Sequence, residues 1–249
     1  MPAAIEDLCH TLRLSGLAAA VRELEPGPCS EEILGFLLRA LESEYELRLA
    51  RKRLNAIRIA GFPTMKRFDE VVADLLPDDG RAYLSVLKQL QFIEEHQNIL
   101  MIGNSGTGKT HLAIATGVLA CEQGYRVMFK TTAGLVNELV EAKQERRLTY
   151  LLRQLKRVDL LILDELGYIT FDQAGAELLF QLLASRYEAA STMITSNLVF
   201  SEWVKIFHDK ALTAALLDRI THRALVLNMT GTSFRQRGSP KDSSARRQK

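Results

Sequence analysis

Apolar and polar positions alternate in two different rhythms along this chain, and the change of rhythm divides it. From residue 3 to residue 59 the apolar side chains recur at spacings of three and four, the period of helices with one buried stripe. A first helical segment, "AIEDLCHTLRLSGLAAAVREL", is expected to end at "EPGPCSEE", where Pro and Gly interrupt the chain. There Ser30 is placed to cap a second helix carrying Glu31 and Glu32 in its first turn. That second helix continues to about residue 60 and spaces Leu34, Leu37, Leu38, Leu41, Tyr45 and Leu49 along one side, a stripe that must pack on something. "GFPTMKRFDE" then breaks the pattern and "LLPDDG" marks another turn, which puts a boundary near residues 61 to 70. Beyond it come short, continuous apolar runs separated by helical segments: "NILMIG", "RVMFKT", "VDLLILDE", "TMITSN" and "ALVLNMT". Such runs alternating with helices predict a parallel sheet covered on both faces, hence an α/β fold. The expected organisation is a small all-α domain over 1–66, an α/β domain over 67–235, and a tail over 236–249.

Composition changes this picture little. The 249 residues are 47% hydrophobic and 25% charged, as in an average soluble protein, and no apolar run approaches the ~20 residues that span a bilayer. The acidic residues near the N-terminus are unlike the basic start of a secretory signal, so a cytoplasmic location is expected. Cys9, Cys29 and Cys121 stand far apart with no His or Cys at metal-ligand spacing, which fits small buried hydrophobes in a reducing compartment. Charge is more informative by position than by its total of +2. From Arg235 onward six basic residues stand against one acidic residue among Gly, Ser and Pro, a composition expected to be disordered and suited either to solvation or to phosphate backbones. The later half of the second helix carries Arg48, Arg51, Lys52, Arg53 and Arg58 with no acid after Glu46. It presents either a solvated face or a nucleic-acid face.

Chemistry concentrates at "GNSGTGKT", Gly103 to Thr110, which matches the phosphate-binding loop G-x-x-x-x-G-K-[ST] in its required place between a strand and a helix. Gly103, Gly106 and Gly108 let the backbone turn and approach a ligand without Cβ clashes. The N–H groups of Asn104, Ser105, Gly106, Thr107 and Gly108 and the following helix N-terminus then face phosphates. Lys109 is expected to reach the β- and γ-phosphates of ATP, and Thr110 to ligate Mg²⁺. "LLILDE" ends an apolar strand in Asp164 and Glu165 at the carboxyl edge of the sheet. Asp164 is expected to hold Mg²⁺ and Glu165 to polarise an attacking water. A third strand ends in Thr195, Ser196 and Asn197. Asn197 is the first choice for orienting water or sensing the γ-phosphate, the alternative being a turn residue that caps the strand. In "LLDRITHRALVLNM", Arg219 and Arg223 are read as four apart on one helical face. Arg219 would either stabilise charge on a phosphoryl group bound by a neighbouring subunit or pair with Asp218 in its own chain. His222 reads as a packing residue.

The set and order of these motifs, "GNSGTGKTHLA", "LLILDELGY", "ITSN", "LLDRITHRA" and "GTSFRQR", resemble the IstB family of transposition helper ATPases. That family belongs to the initiator-like branch of the AAA+ proteins, beside the DnaC helicase loaders and the DnaA initiators. The resemblance covers the chain from its N-terminal helices to about Arg237. It implies a P-loop (AAA+) core and ATP hydrolysis by a homo-oligomer on double-stranded DNA, in the service of a partner, IstA-like transposase. It also implies that Arg219 is the arginine donated across a subunit interface. The stretch "GLVNELVEAKQERRLTYLLRQLKR" between the second and third strands, read as one helix, matches the region of the initiator-type insertion, making Lys143, Arg146 and Arg147 candidate DNA contacts together with Arg51, Lys52 and Arg53. Little chain follows "LVLNMT", so the helical lid of many AAA+ proteins is not expected, and Arg235 is the candidate to replace its sensing arginine. An alternative is a DnaC-like adaptor that loads a helicase and uses ATP as a switch. A small-molecule kinase fits less well, for want of an acceptor-binding lid.

Overall fold

The computed structural model describes residues 2–23 and 30–234. Cys29, the "EPGPC" break, the capping side chain of Ser30, Arg235 and the basic tail lie outside the described residues. The chain divides into two compact units, Met1–Asn55 and Ala56–Lys249.

In the first unit, helices α1 (Pro2–Leu12) and α2 (Ser15–Arg22) pack with the early part of α3 (Ser30–Ala60). Ile5, Cys9, Leu12 and Leu41 form its buried centre, ringed by Leu34, Leu37, Leu38 and Tyr45. The stripe expected along the second helix is therefore covered by the first segment from Leu34 to Tyr45, and Leu49 lies outside that cluster. That segment is two helices rather than the one continuous helix expected. Arg13 takes a left-handed conformation (φ 59°), the Leu14 N–H donates to the Cys9 carbonyl and the Arg13 N–H to the His10 carbonyl. This is the paired closure that commonly ends a helix at glycine. With arginine in the glycine place, the stop leaves no mark in the sequence.

The second unit is a five-stranded, wholly parallel sheet in the order β2-β3-β4-β1-β5. Its strands are β1 (Asn98–Ile102), β2 (Val127–Thr131), β3 (Leu160–Leu166), β4 (Ser191–Ser196) and β5 (Ala224–Asn228). All five coincide with the apolar runs read from the sequence. Strand residues alternate between two cores, because successive side chains point to opposite faces. Ile99, Met101, Leu160, Ile162 and Met193 join one core, on the side of helix α7 (Lys109–Glu122). The short helices α4 (Asp78–Ala82), α5 (Leu84–Gln89) and α6 (Gln91–Glu94) precede β1, and the last two contribute to the same core. Leu100, Ile102, Leu161, Leu163 and Ile194 face the other core, under α8 (Thr132–Gln144), α9 (Leu148–Lys156), α10 (Gln173–Arg186), α11 (Val204–Phe207) and α12 (Lys210–His222).

The segment between β2 and β3, read as one helix, is also two. Arg146 is left-handed (φ 58°), with the Arg147 N–H donating to the Ala142 carbonyl and the Arg146 N–H to the Lys143 carbonyl, so the same closure recurs with arginine in place of glycine. Likewise α12 ends at His222, and Arg223 (φ −128°, ψ 67°) lies past the helix rather than on one helical face with Arg219. Cys9 and Cys121 are buried, and burial pushes the Cys121 thiol up to about 11, so it stays a protonated, inert hydrophobe.

Candidate nucleotide-binding site

Strand β1 leads into the phosphate loop, and α7 begins at Lys109 with its first N–H groups turned toward the loop. Gly106 (φ 80°) and Gly108 (φ 95°) hold left-handed conformations that other residues adopt at a cost. Gly103 is required by contact instead, since a Cβ there would stand 2.2 Å from the carbonyl carbon of Met229. Within the loop, the buried Thr107 hydroxyl donates to the Asn104 carbonyl at 2.9 Å, while Asn104 and Ser105 are exposed. The buried Lys109 ammonium donates to the carbonyls of Gly103 and Asn104, both at 2.6 Å. Burial lowers the pKa of Lys109, and nearby Asp164 partly offsets this, so an anionic ligand that took over these hydrogen bonds would also relieve the cost of its charge.

The end of β3 brings the second set of residues to the loop. Asp164 is buried, and its Oδ1 accepts from the hydroxyls of Thr110 (3.0 Å) and Thr195 (2.5 Å). The Thr195 oxygen in turn accepts from the Glu165 N–H at 3.0 Å. Pairing explains why a hydroxyl stands there. Leu163 lies opposite Ile194 and Leu166 opposite Ser196, so β3 has one more residue than β4 over this stretch, a bulge. Glu165 occupies it in a left-handed conformation (φ 61°), and the Thr195 hydroxyl supplies the acceptor for its N–H. The bulge carries the Glu165 side chain out of the core; it is exposed and lines the cavity described next.

That cavity, about 500 Å³, is open beside the loop. Its polar wall includes Lys109, Thr110, Glu165, Thr195 and Asn197, and an apolar wall is formed by Val71, Val72, Leu75, Leu76 and Ile114. A cavity with one cationic, N–H-rich end and one apolar end matches a nucleotide, with phosphates at the first and a base at the second. The hydroxyl of Thr110 and the carboxylate of Asp164 are hard oxygen donors of the kind Mg²⁺ takes, and the two stand side by side, 3.0 Å apart. The segment after β5 also reaches the loop, with the Phe234 N–H donating to the Gly106 carbonyl at 2.8 Å.

The structure thus brings Ser105, Gly106, Gly108, Lys109 and Thr110 of the phosphate loop together with Glu165 and Asn197 around one cavity, and Asp164 lies behind them, bonded to Thr110 and Thr195 of its lining. Thr195, the apolar wall and Phe234 join them unforeseen. The polar end of the third strand marks Thr195 only as one of three polar residues, and nothing local in "VVADLL" signals an apolar cavity wall. Arg219 is not brought to the cavity. It is half-buried on α12, its Nη1 donating to the Ala215 carbonyl at 3.0 Å and its guanidinium lying 5.6 Å from the Phe180 ring centre. No ion pair with Asp218 occurs among the described residues. Exposed His222 packs against Tyr187, its Nδ1 3.1 Å from the phenol oxygen. The candidate DNA contacts Arg51, Lys52, Arg53, Lys143, Arg146 and Arg147 are all exposed and outside the cavity, and Arg147 pairs with Glu145.

A parallel sheet with a phosphate loop after its first strand and an Asp-Glu pair ending the strand two places away define a P-loop protein of the AAA+ type. Comparison with known proteins fixes its place within that class: residues 8–242 match the family model "IstB-like ATP binding protein", and the chain belongs to that ATP-binding family. It is 37% identical over 233 residues to an ATP-binding protein of insertion sequence IS21 from Pseudomonas aeruginosa, covering 93% of this chain and 88% of that one. It is also 37% identical over 235 residues to the corresponding protein of IS5376 from Geobacillus stearothermophilus, covering 94% of each. Among solved structures, DnaI aligns with a TM-score of 0.57 at 21% identity over 71% of this chain and 94% of that one, a likeness of fold. Among the described residues no helix is long and apolar enough to cross a membrane.

Proposed function

We propose that this protein is an ATPase that serves the transposase of an insertion sequence, hydrolysing ATP at sites completed between its own copies while they sit on double-stranded DNA. One observation carries the catalytic part: the bulge that lifts Glu165 into the cavity is tied, through Thr195, to the same carboxylate oxygen that Thr110 contacts. The chain's residues then divide the work. Lys109 and the loop N–H groups hold the β- and γ-phosphates, Thr110 and Asp164 hold Mg²⁺, Glu165 takes the proton of an attacking water, and Asn197 orients that water. Bound Mg²⁺ would neutralise charge on the phosphate oxygens. Thr195 acts on positions, so Thr195→Val is expected to lower turnover about tenfold with little change in ATP affinity, as read by steady-state hydrolysis and nucleotide titration.

Arg219 supports the shared site. It is half-buried, has no acidic partner among the described residues and stands away from its own chain's cavity, which suits a cation presented to a neighbour's γ-phosphate. The relatives named for insertion sequences favour transposition over helicase loading. Residues 1–66 are proposed to engage the partner transposase or DNA. The exposed cations of α3 and of the α8–α9 turn are proposed to contact phosphates, without reading sequence and with strong salt dependence. The test is hydrolysis by Arg219→Ala with duplex DNA. The expected result is a fall of about 10³-fold with ATP affinity retained. Wild-type turnover in that variant, indifferent to DNA, would refute the shared site.

A further inference from the structure

A cation kept for a neighbouring copy must stay charged, free of its own chain's carboxylates and confined to few orientations until it is used. Acids stand on both helices of the region around Arg219: Asp218 precedes it on α12, and Glu177 lies on α10, which packs against α12. Arg219 forms no ion pair with either among the described residues, and Oε1 of Glu177 instead accepts from the Gln173 amide at 3.2 Å. Two other contacts hold the guanidinium. Its Nη1 donates to the Ala215 carbonyl one turn back on α12, and the group lies over the ring of Phe180, 5.6 Å from the ring centre. The place of Phe180 follows from its position on α10. Ala176, Leu179, Leu182 and Leu183 are buried in the core, Glu177 and Gln181 are exposed, and Phe180 falls on the border between the two faces, half-buried. A leucine would also suit that border; a ring adds a face that attracts cations.

We propose that Phe180 is a positioning residue for Arg219, whose ring holds the guanidinium charged and unpaired until the phosphate of a neighbouring copy takes it. The proposal rests on the shared-site reading above. An aromatic face attracts a cation without neutralising it, whereas a carboxylate would do both. The hold is also weak enough to be given up. A cation over an accessible ring is stabilised about as much as a surface ion pair, and a phosphate that accepts two parallel hydrogen bonds from the guanidinium attracts it more strongly.

The experiment follows hydrolysis by the full chain with ATP and duplex DNA. Phe180→Leu is expected to lower kcat about tenfold, the size of one such contact, with KM for ATP retained. Phe180→Tyr keeps the ring face and should hold turnover within about twofold of the parent chain. Placement then separates positioning from packing. In a mixture of Arg219→Ala and Glu165→Gln chains, the active interfaces use the Arg219 of the Glu165→Gln chain. Adding Phe180→Leu to that chain should lower the turnover of the mixture about tenfold, and adding it to the Arg219→Ala chain should leave turnover unchanged, since no guanidinium is held there. Full turnover in Phe180→Leu, a tyrosine variant as slow as the leucine variant, or an equal loss from either placement would each overturn the proposal. A mixture that stays inactive before any change at residue 180 would refute the shared site itself, and this proposal with it.

Discussion

With ATP and DNA saturating, the Glu165→Gln variant is expected to hydrolyse ATP some 10²–10⁴-fold more slowly than the parent chain, the range that loss of a positioned general base produces. ATP binding should be retained, because the loop and Lys109, which are proposed to grip the phosphates, are not touched by this change. The expectation rests on geometry that glutamine preserves. Residue 165 sits in a left-handed conformation (φ 61°), which costs a non-glycine residue of order 1 kcal/mol and is held by the bulge between the Leu163–Ile194 and Leu166–Ser196 pairs. Its N–H donates to the Thr195 hydroxyl, which donates to Asp164, itself the acceptor from Thr110. Glutamine keeps the backbone bond and the side-chain shape and loses the basic oxygen. A large fall in kcat with an unchanged dissociation constant for ATP would assign the proton transfer to Glu165, and an equal fall in affinity would instead mean that the pocket had been disturbed.

The largest expected effect on stability lies far from nucleotide chemistry, at Arg186. This residue is 1% exposed, and its guanidinium donates to the carbonyls of Leu155 (2.6 Å), Val158 (3.0 Å) and Ser191 (2.6 Å) and to the Thr192 hydroxyl (3.1 Å). It thereby closes the end of α9, the turn into β3 and the start of β4 with one planar fork of donors. Burial pushes its pKa down to about 10 despite the nearby Asp159 carboxylate, so at neutral pH it remains charged and keeps these four hydrogen bonds. Arg186→Met fills similar space but leaves three buried carbonyls without donors, each worth ~1–3 kcal/mol. The loss should be about 4 kcal/mol or more, read as a melting temperature lower by roughly 10 °C. A loss under about 1 kcal/mol would mean that water replaces the guanidinium. Because β3 and β4 carry Asp164 and Thr195 at their other ends, the same variant should also lose ATP turnover as it approaches its lowered melting temperature.

Both residues show how far the sequence could be read. The five strands were legible because each is a short apolar run ending in a polar or glycine residue, and the phosphate loop because its glycines and lysine have a fixed spacing. What escaped was set by tertiary contact. Arg13 and Arg146 end helices in the conformation usually given to glycine, so no residue type announced the breaks. Arg186 looks like any polar residue near the end of a helix, and only the carbonyls supplied by three separate segments make it a buried anchor. Thr195 was visible as one of three polar residues closing β4, yet its role depends on a one-residue bulge in β3 that pairing reveals and composition does not. The apolar wall of the cavity, Val71 to Leu76, comes from a stretch whose short helical turns carry no periodic signal.

The central claim, that one copy's Arg219 completes the site built around another copy's Glu165, is tested most directly by mixing two inactive variants. Arg219→Ala keeps an intact cavity and lacks the donated cation; Glu165→Gln keeps the cation and lacks the base. Hydrolysis should be near background for each variant with ATP and duplex DNA, and should return when the two are mixed, since some interfaces then join an intact Glu165 to an intact Arg219. A mixture no more active than the sum of its parts would contradict the claim.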